Sequence, residues 1–158
     1  MKATDIIKKL HLEPLPQEGG FFRRVYDSEF NLPDQRPFAS AIYYLVTPES
    51  FSSLHRLKTA EEIFIFCAGD PVDLLQLSHH GVEHYRMGAR VDLGQRPQVV
   101  VPAGMWQGTK LATGGAWALL SVVVVPAYLD NDNEYGKREE LIKLFPSHEK
   151  IIRQYTYD

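Results

Sequence analysis

From Phe21 to Val125 the chain is a succession of short β-prone runs, each closed by a turn signal and none separated from the next by a long helical pattern. The runs are Phe21–Tyr26, Ala39–Val46, Phe51–Leu57, Glu62–Cys67, Val72–Leu77, Val82–Met87, Gln98–Val101, Trp106–Leu111 and Trp117–Val125. They are rich in β-branched and aromatic residues, which suit a pleated, half-buried surface. Turns are expected at Gln17-Glu18-Gly19-Gly20, Pro48-Glu49-Ser50 and His79-His80-Gly81. Ala68-Gly69-Asp70-Pro71 is expected to join Glu62–Cys67 to Val72–Leu77 as a pair, and Thr113-Gly114-Gly115 to close another hairpin. Short strands at near-regular spacing predict an all-β sandwich or barrel and disfavour a parallel α/β sheet.

Helix is expected only at the ends. Thr4 to Leu10 reads as a short helix with Thr4 as N-cap and Ile6, Ile7 and Leu10 on one face. Glu139–Leu144 is amphipathic, and Glu149–Gln154 adds a turn or two after Pro146-Ser147. The chain's 158 residues suit one domain, 1–158, with a barrel core at about 18–128 and a helical tail at about 129–158. A net charge of -3 offers no broad basic surface, so nucleic acid is not an expected partner. No apolar run is long enough to span a bilayer, and the start lacks the apolar stretch of a signal peptide. The single cysteine, Cys67, excludes an internal disulfide and a cysteine-rich zinc site; the expected compartment is the cytoplasm.

Two segments about forty residues apart concentrate the polar chemistry: His55-Arg56-Leu57-Lys58-Thr59-Ala60-Glu61-Glu62, closing at Gly69, and Pro102-Ala103-Gly104-Met105-Trp106-Gln107. Strand alternation puts Phe51, Ser53 and His55 on one face, and Glu62, Phe64 and Phe66 on one face of the next run. If His55 and Glu62 point inward, Phe64 and Ser53 join them, Glu61 points to solvent, and Ile65 and Cys67 pack against another layer. Gln107 is expected in the pocket, with Trp106 beside or beneath it. One of Tyr43 and Tyr44 faces the interior, and alternation alone does not say which.

These segments resemble the two motifs of the cupin superfamily: His55, Glu62, Gly69, then Pro102-x-Gly104-x-x-Gln107. With Glu18-Gly19-Gly20-Phe21-Phe22-Arg23, Ala41-Ile42-Tyr43-Tyr44-Leu45 and Ser53-Leu54-His55-Arg56, the chain resembles the small type-five cupins, a family of unknown function, over roughly Asp5 to Tyr128. The resemblance implies an RmlC-like jelly-roll β-barrel (a double-stranded β-helix), a homodimer, and a fold similar to dTDP-sugar epimerases and seed-storage globulins. A full cupin metal site takes two His from a His-x-His, a Glu and a further His. In this sequence Leu57 and Gln107 stand at two of those positions, and Ile65 at a position often His in the family. The expectation is therefore no cofactor, or a divalent ion loosely held by His55, Glu62 and Gln107.

Four readings stay open for His55 and Glu62: metal ligands, a metal-free acid/base pair acting on a C–H beside a carbonyl, hydrogen-bonding groups for a ligand, or a satisfied pair with no ligand. Ser53, Phe64, Gln107, Tyr43, Arg23, Glu18 and Trp106 are the expected ligand-binding residues. Glu18 and Arg23 flank a flexible Gly19-Gly20 pair able to close over the mouth. His79, His80 and His84 read as exposed loop residues, and Cys67 as a core residue. The expected ligand is a small polar metabolite such as a sugar, nucleotide-sugar or carboxylated compound. The expected function is isomerase- or epimerase-like proton transfer with His55 as base and Glu62 orienting it; the alternative is a non-catalytic binding or sensing module.

Overall fold

A computed structural model describes residues 1–157. The elements in chain order are α1 (Ala3–Leu10), β1 (Glu13–Pro14), β2 (Phe21–Asp27), β3 (Ser40–Val46), β4 (Ser52–Leu57), β5 (Glu61–Gly69), β6 (Val72–Ser78), β7 (Gly81–Met87), β8 (Gln98–Val101), β9 (Trp106–Leu111), β10 (Ala118–Val125), β11 (Asn133–Tyr135), α2 (Arg138–Leu144) and α3 (Glu149–Gln154). Two antiparallel sheets face each other, ordered β1-β2-β3-β10-β5-β8 and β11-β4-β9-β6-β7. This is the jelly roll that the resemblance implies, within the all-β sandwich or barrel that the strand spacing predicts.

Two expected hairpins are not hairpins. β5 pairs with β10 and β8, whereas β6 pairs with β7 and β9, so Ala68–Pro71 carries the chain from one sheet to the other. Thr113–Gly115 does the same between β9 and β10. Local turn chemistry says that a chain bends; it does not say which sheet receives the next strand. Gly69 serves such an arch: at φ +98° a Cβ would stand 2.4 Å from the Trp117 carbonyl oxygen.

The interior between the sheets is filled by Tyr44, Val46, Leu57, Phe64, Leu120 and Val122, among others. The outer face of the five-stranded sheet carries a second core, where Leu54, Leu75, Leu77 and Trp106 meet Leu141, Phe145, Ile152 and Tyr155 of the C-terminal helices. α1 covers part of the other outer face through Ile6, packed with Leu12 and Leu45. Its N-cap is Lys2 rather than Thr4, and Asp5 accepts the Lys2 backbone N–H at 3.0 Å.

Two further expectations change. The tail is not wholly helical, because β11 joins β4 with Tyr135 opposite His55. Cys67 is exposed, not core, on the outer face of β5. His79, His80 and His84 are exposed, as expected, but only His79 and His80 lie in the turn, and His84 is on β7 opposite Leu75.

Candidate functional site

β4 and β9 place His55 directly opposite Gln107. The Pro102–Gly104 turn sets that register: the Gly104 backbone N–H donates to the Leu57 carbonyl at 2.7 Å, pinning the start of β9 to the end of β4. Gly104 adopts φ +78°, which favours glycine. β5 brings Glu62 across from the opposite sheet. The Gln107 amide then bridges the two sheets, with Nε2 2.8 Å from His55 Nε2 and donating to Glu62 Oε2 at 3.0 Å.

The imidazole's state follows from its neighbours. Nδ1 lies 2.8 Å from the Ser53 carbonyl oxygen, which can only accept, so Nδ1 carries the proton. Nε2 faces the Gln107 amide and the Glu18 and Glu62 carboxyl groups: the neutral ring accepts there from the amide, and the charged ring is balanced by the two carboxylates. A third ionisable group, Glu18, completes the cluster: Oε1 accepts from Ser52 Oγ at 2.9 Å and Oε2 lies 3.5 Å from His55 Nε2. Glu62 Oε1 is 4.0 Å from the same nitrogen. Glu18, His55 and Glu62 are 9%, 3% and 6% exposed, so little water shares their charge.

Burial pushes the Glu62 carboxyl up to about 7, with the Glu18 carboxylate adding to the rise against the opposing pull of His55 and the Gln107 amide. Burial opposes a charge on His55, but Glu18, Glu62 and the Ser53 carbonyl outweigh it and raise its pKa. The buried Tyr44 hydroxyl is raised well above its ordinary value by desolvation and by Glu18.

The cluster forms one wall of a cavity of about 480 Å³ between the sheets. Phe22, Ile42, Tyr44, Phe64, Val122 and Val124 supply most of the remaining wall, and Tyr128, Asp130 and Tyr135 come from the segment after β10. That volume and this mixture of apolar wall with a few convergent polar groups suit a small ligand.

Glu18, His55, Glu62 and Phe64 line the cavity. Gln107 is fully buried behind His55 and Glu62 and reaches the cavity only through them. Tyr43 points outward into the α1 cluster, and Tyr44 takes the interior position. Arg23 follows Tyr43, with which it pairs: it is exposed and donates to the Leu10 carbonyl at 3.2 Å, while Arg24 reaches the cavity. Trp106 alternates with Gln107 and packs into the outer core, under the Arg56 guanidinium at 4.6 Å.

Ser53 is displaced by a register shift between Ser52 and His55, so Ser52 rather than Ser53 meets Glu18, and Ser53 Oγ donates to the Gln17 carbonyl at 3.3 Å. The Gly19-Gly20 pair is not a flexible hinge. Both residues have positive φ, a Cβ on Gly20 would stand 2.6 Å from Tyr44 Oη, and the Gly20 N–H donates to Ser50 Oγ at 2.8 Å. The sequence reading missed Gln17, Arg24, Ser40, Tyr128, Asp130 and Tyr135.

The donor set does not fit a tightly held transition metal. Gln107 presents its amide nitrogen to His55 and Glu62; its Oε1, the atom that would bind a cation, is buried with no partner. Leu57 adds an aliphatic wall beside His55. Among the described residues no cluster of three or more His, Cys, Asp or Glu side chains is arranged to hold a metal ion.

Comparison with known proteins fixes the family. The model of the family described as Cupin superfamily (DUF985) matches residues 4–136. The chain belongs to this cupin family. Among solved structures, the cupin is similar to a hypothetical protein from Leishmania major, at 32% identity and TM-score 0.93, covering 100% of both chains. A protein from Shewanella oneidensis gives 32% identity and TM-score 0.93, over 99% of this cupin and 98% of that chain. The capsular polysaccharide assembling protein CapF from Staphylococcus aureus shares the fold at 12% identity and TM-score 0.59, over 78% of this cupin and 31% of that chain. No curated protein matches the chain significantly.

Proposed function

We propose that this cupin binds a small molecule inside the barrel, with the ligand's polar end on Glu18, His55 and Glu62 and its body against Phe22, Ile42, Phe64 and Tyr135. One observation carries this: a cavity of about 480 Å³ whose polar wall is two carboxylates and an imidazole, all more than nine-tenths buried. Burying three ionisable groups costs stability, and a ligand that uses them is the simplest reason to retain them.

In the catalytic form of the proposal the reaction is isomerase- or epimerase-like proton transfer. Glu62 is the better proton carrier: its pKa of about 7 lets it take and return a proton near neutrality. His55 then serves as its neighbour, with Nε2 engaged by the Gln107 amide and its charged form favoured by the Glu18 and Glu62 carboxylates. A non-catalytic binding module is the second reading, favoured by that same engagement of both groups by Gln107.

The deciding experiment is native mass spectrometry of freshly purified protein, followed by identification of any small molecule released on unfolding. A stoichiometric adduct, lost in Ile42→Trp, which fills the cavity, is the expected result. No adduct, together with no thermal shift against a metabolite panel, would refute pocket binding. With the ligand in hand, His55→Ala and Glu62→Gln separate the two forms: loss of turnover at retained binding marks the enzyme, and loss of affinity alone marks the module.

We further propose that two copies pair through the outer face of the six-stranded sheet. Ile63, Ile65 and Val123 lie there half-buried, with Val100 46% exposed beside them. Phe21 and Phe22 are not available for this role, since Phe21 packs with α1 and Phe22 lines the cavity. Sedimentation of Ile65→Lys, expected as a monomer against a wild-type dimer, tests it. No helix among the described residues is long and apolar enough to cross a membrane. An exposed lone thiol suits a reducing compartment, and the cytoplasm is the location proposed.

A further inference from the structure

We infer that the ligand of this pocket presents a positively charged hydrogen-bond donor, an organic ammonium group, to Glu18 and Glu62. The inference rests on the pocket-binding reading above and names the chemical class of its ligand.

The polar wall is dominated by carboxyl oxygens. Glu18 spends Oε1 on Ser52, its Oε2 lies 3.5 Å from His55 Nε2, and the Tyr44 hydroxyl is a further neighbour of its carboxyl group. Glu62 spends Oε2 on Gln107, and its Oε1 stands 4.0 Å from His55. The His55 Nδ1–H is committed to the Ser53 carbonyl and the Tyr44 hydroxyl to the Gly19 carbonyl at 2.8 Å, so His55 Nε2, shared between the two carboxyl groups at 3.5 and 4.0 Å, is the one ionisable donor position facing them. A ligand that brings its own N–H groups completes both carboxylates, and charge-assisted hydrogen bonds of this kind are the strong ones.

Charge points the same way. Asp130 adds a third carboxylate to the lining, and the lining guanidinium, Arg24, is held by Asp27 and by the Tyr128 carbonyl. A carboxylate or phosphate entering the cavity would meet Glu18 and Glu62, and the one imidazole in the wall, His55, already stands between them. The aromatic faces of Phe22, Phe64, Tyr128 and Tyr135 favour a cation as well as an apolar body.

Three probes with one body decide the question: 4-phenylbutylamine, 4-phenylbutanol and 4-phenylbutyrate, titrated calorimetrically into the wild-type protein at neutral pH and low salt. The amine is expected to bind about ten-fold tighter than the alcohol, and about a hundred-fold tighter than the acid. Glu18→Gln, or Glu62→Gln should the first variant not fold, is expected to erase most of the amine's advantage over the alcohol. Alcohol or acid binding as tightly as the amine overturns the ammonium inference and leaves pocket binding standing. Binding by none of the three overturns it too, and the co-purification experiment then decides pocket binding independently.

Discussion

Replacing Glu62 by glutamine removes a buried negative charge while keeping the side chain's shape, so the variant isolates what that charge costs. The carboxyl group, ordinarily at 4.5, is pushed up to about 7 by burial and by Glu18. At roughly 1.4 kcal/mol per pH unit, ionising it in the native state costs about 3 kcal/mol. The sign is fixed by proton count. Between 4.5 and 7 the native state keeps a proton that the unfolded chain has lost, so stability falls as pH rises through that window. His55 works in the same direction: its raised pKa gives stability that is complete below its ordinary value of 6.5 and lost as pH rises through the folded value.

Glutamine does not titrate, and its carbonyl can still accept from the Gln107 amide. His55 in the variant also loses one of the carboxylates that raise its pKa. Glu62→Gln should therefore match the wild type within about 1 kcal/mol at pH 4.5 and exceed it by about 2–3 kcal/mol at pH 8. That corresponds to a Tm increase of roughly 5–10 °C at the higher pH. Urea unfolding of both proteins at half-unit steps from pH 4.5 to 8 is the assay. Parallel pH profiles, or a variant less stable than the wild type at pH 8, would refute a buried, destabilised carboxylate at position 62.

Gly20→Ala places a Cβ 2.6 Å from Tyr44 Oη at φ +74°, against a side chain with no room to retreat; urea unfolding should show a loss of more than about 2 kcal/mol. Arg36→Ala removes the buried guanidinium that holds Asp132 at 2.9 Å and the Ala127 carbonyl at 2.7 Å, and should cost roughly 3 kcal/mol in the same assay. Asp132 is held below its ordinary carboxylate range: burial works against this, but hydrogen bonds from Arg36 and Thr59 prevail. Its contribution is lost as pH falls through the folded value, so Arg36→Ala should also flatten the acid limb of the stability profile. Leu57→His combined with Gln107→His restores two imidazoles beside His55 and Glu62; calorimetric titration should show zinc or nickel bound at least about ten-fold tighter than by the wild type.

The meeting of His55, Glu62 and Gln107 was legible because strands have a fixed period and a Pro-x-Gly turn fixes the start of β9. Legibility ended where the period breaks. Ser53 shares parity with His55, yet the register shift between Ser52 and His55 gives the contact with Glu18 to Ser52. Tyr43 versus Tyr44 was an unresolved choice, and the naming of Arg23 fell with it, since β2 and β3 pair residue for residue here and a one-residue slip exchanges both faces together. The choice falls on Tyr44 and Arg24 because α1 needs an apolar floor, and Tyr43 with Leu45 and Leu119 supplies it.

The segment Tyr128 to Tyr135 illustrates a different limit. Its residues alternate in no useful way, and its short strand exists only because β4 offers an open edge for it to pair with. Arg36, from the loop between β2 and β3, then fastens that segment through Asp132, 96 positions away in sequence. Nothing local encodes such a contact, and its consequence is functional: the same segment carries Tyr128, Asp130 and Tyr135 to the cavity. His55 and Glu62 of the polar wall are thus written in the period of β4 and β5 and Glu18 in the turn before β2, whereas the opposite rim depends on one ion pair. Weakening Arg36 should loosen ligand binding without touching a residue that lines the cavity, and the phenylbutylamine titration on Arg36→Lys, which keeps the charge but not the forked hydrogen bonds, should show weaker binding than wild type; unchanged affinity would separate the rim from the ion pair.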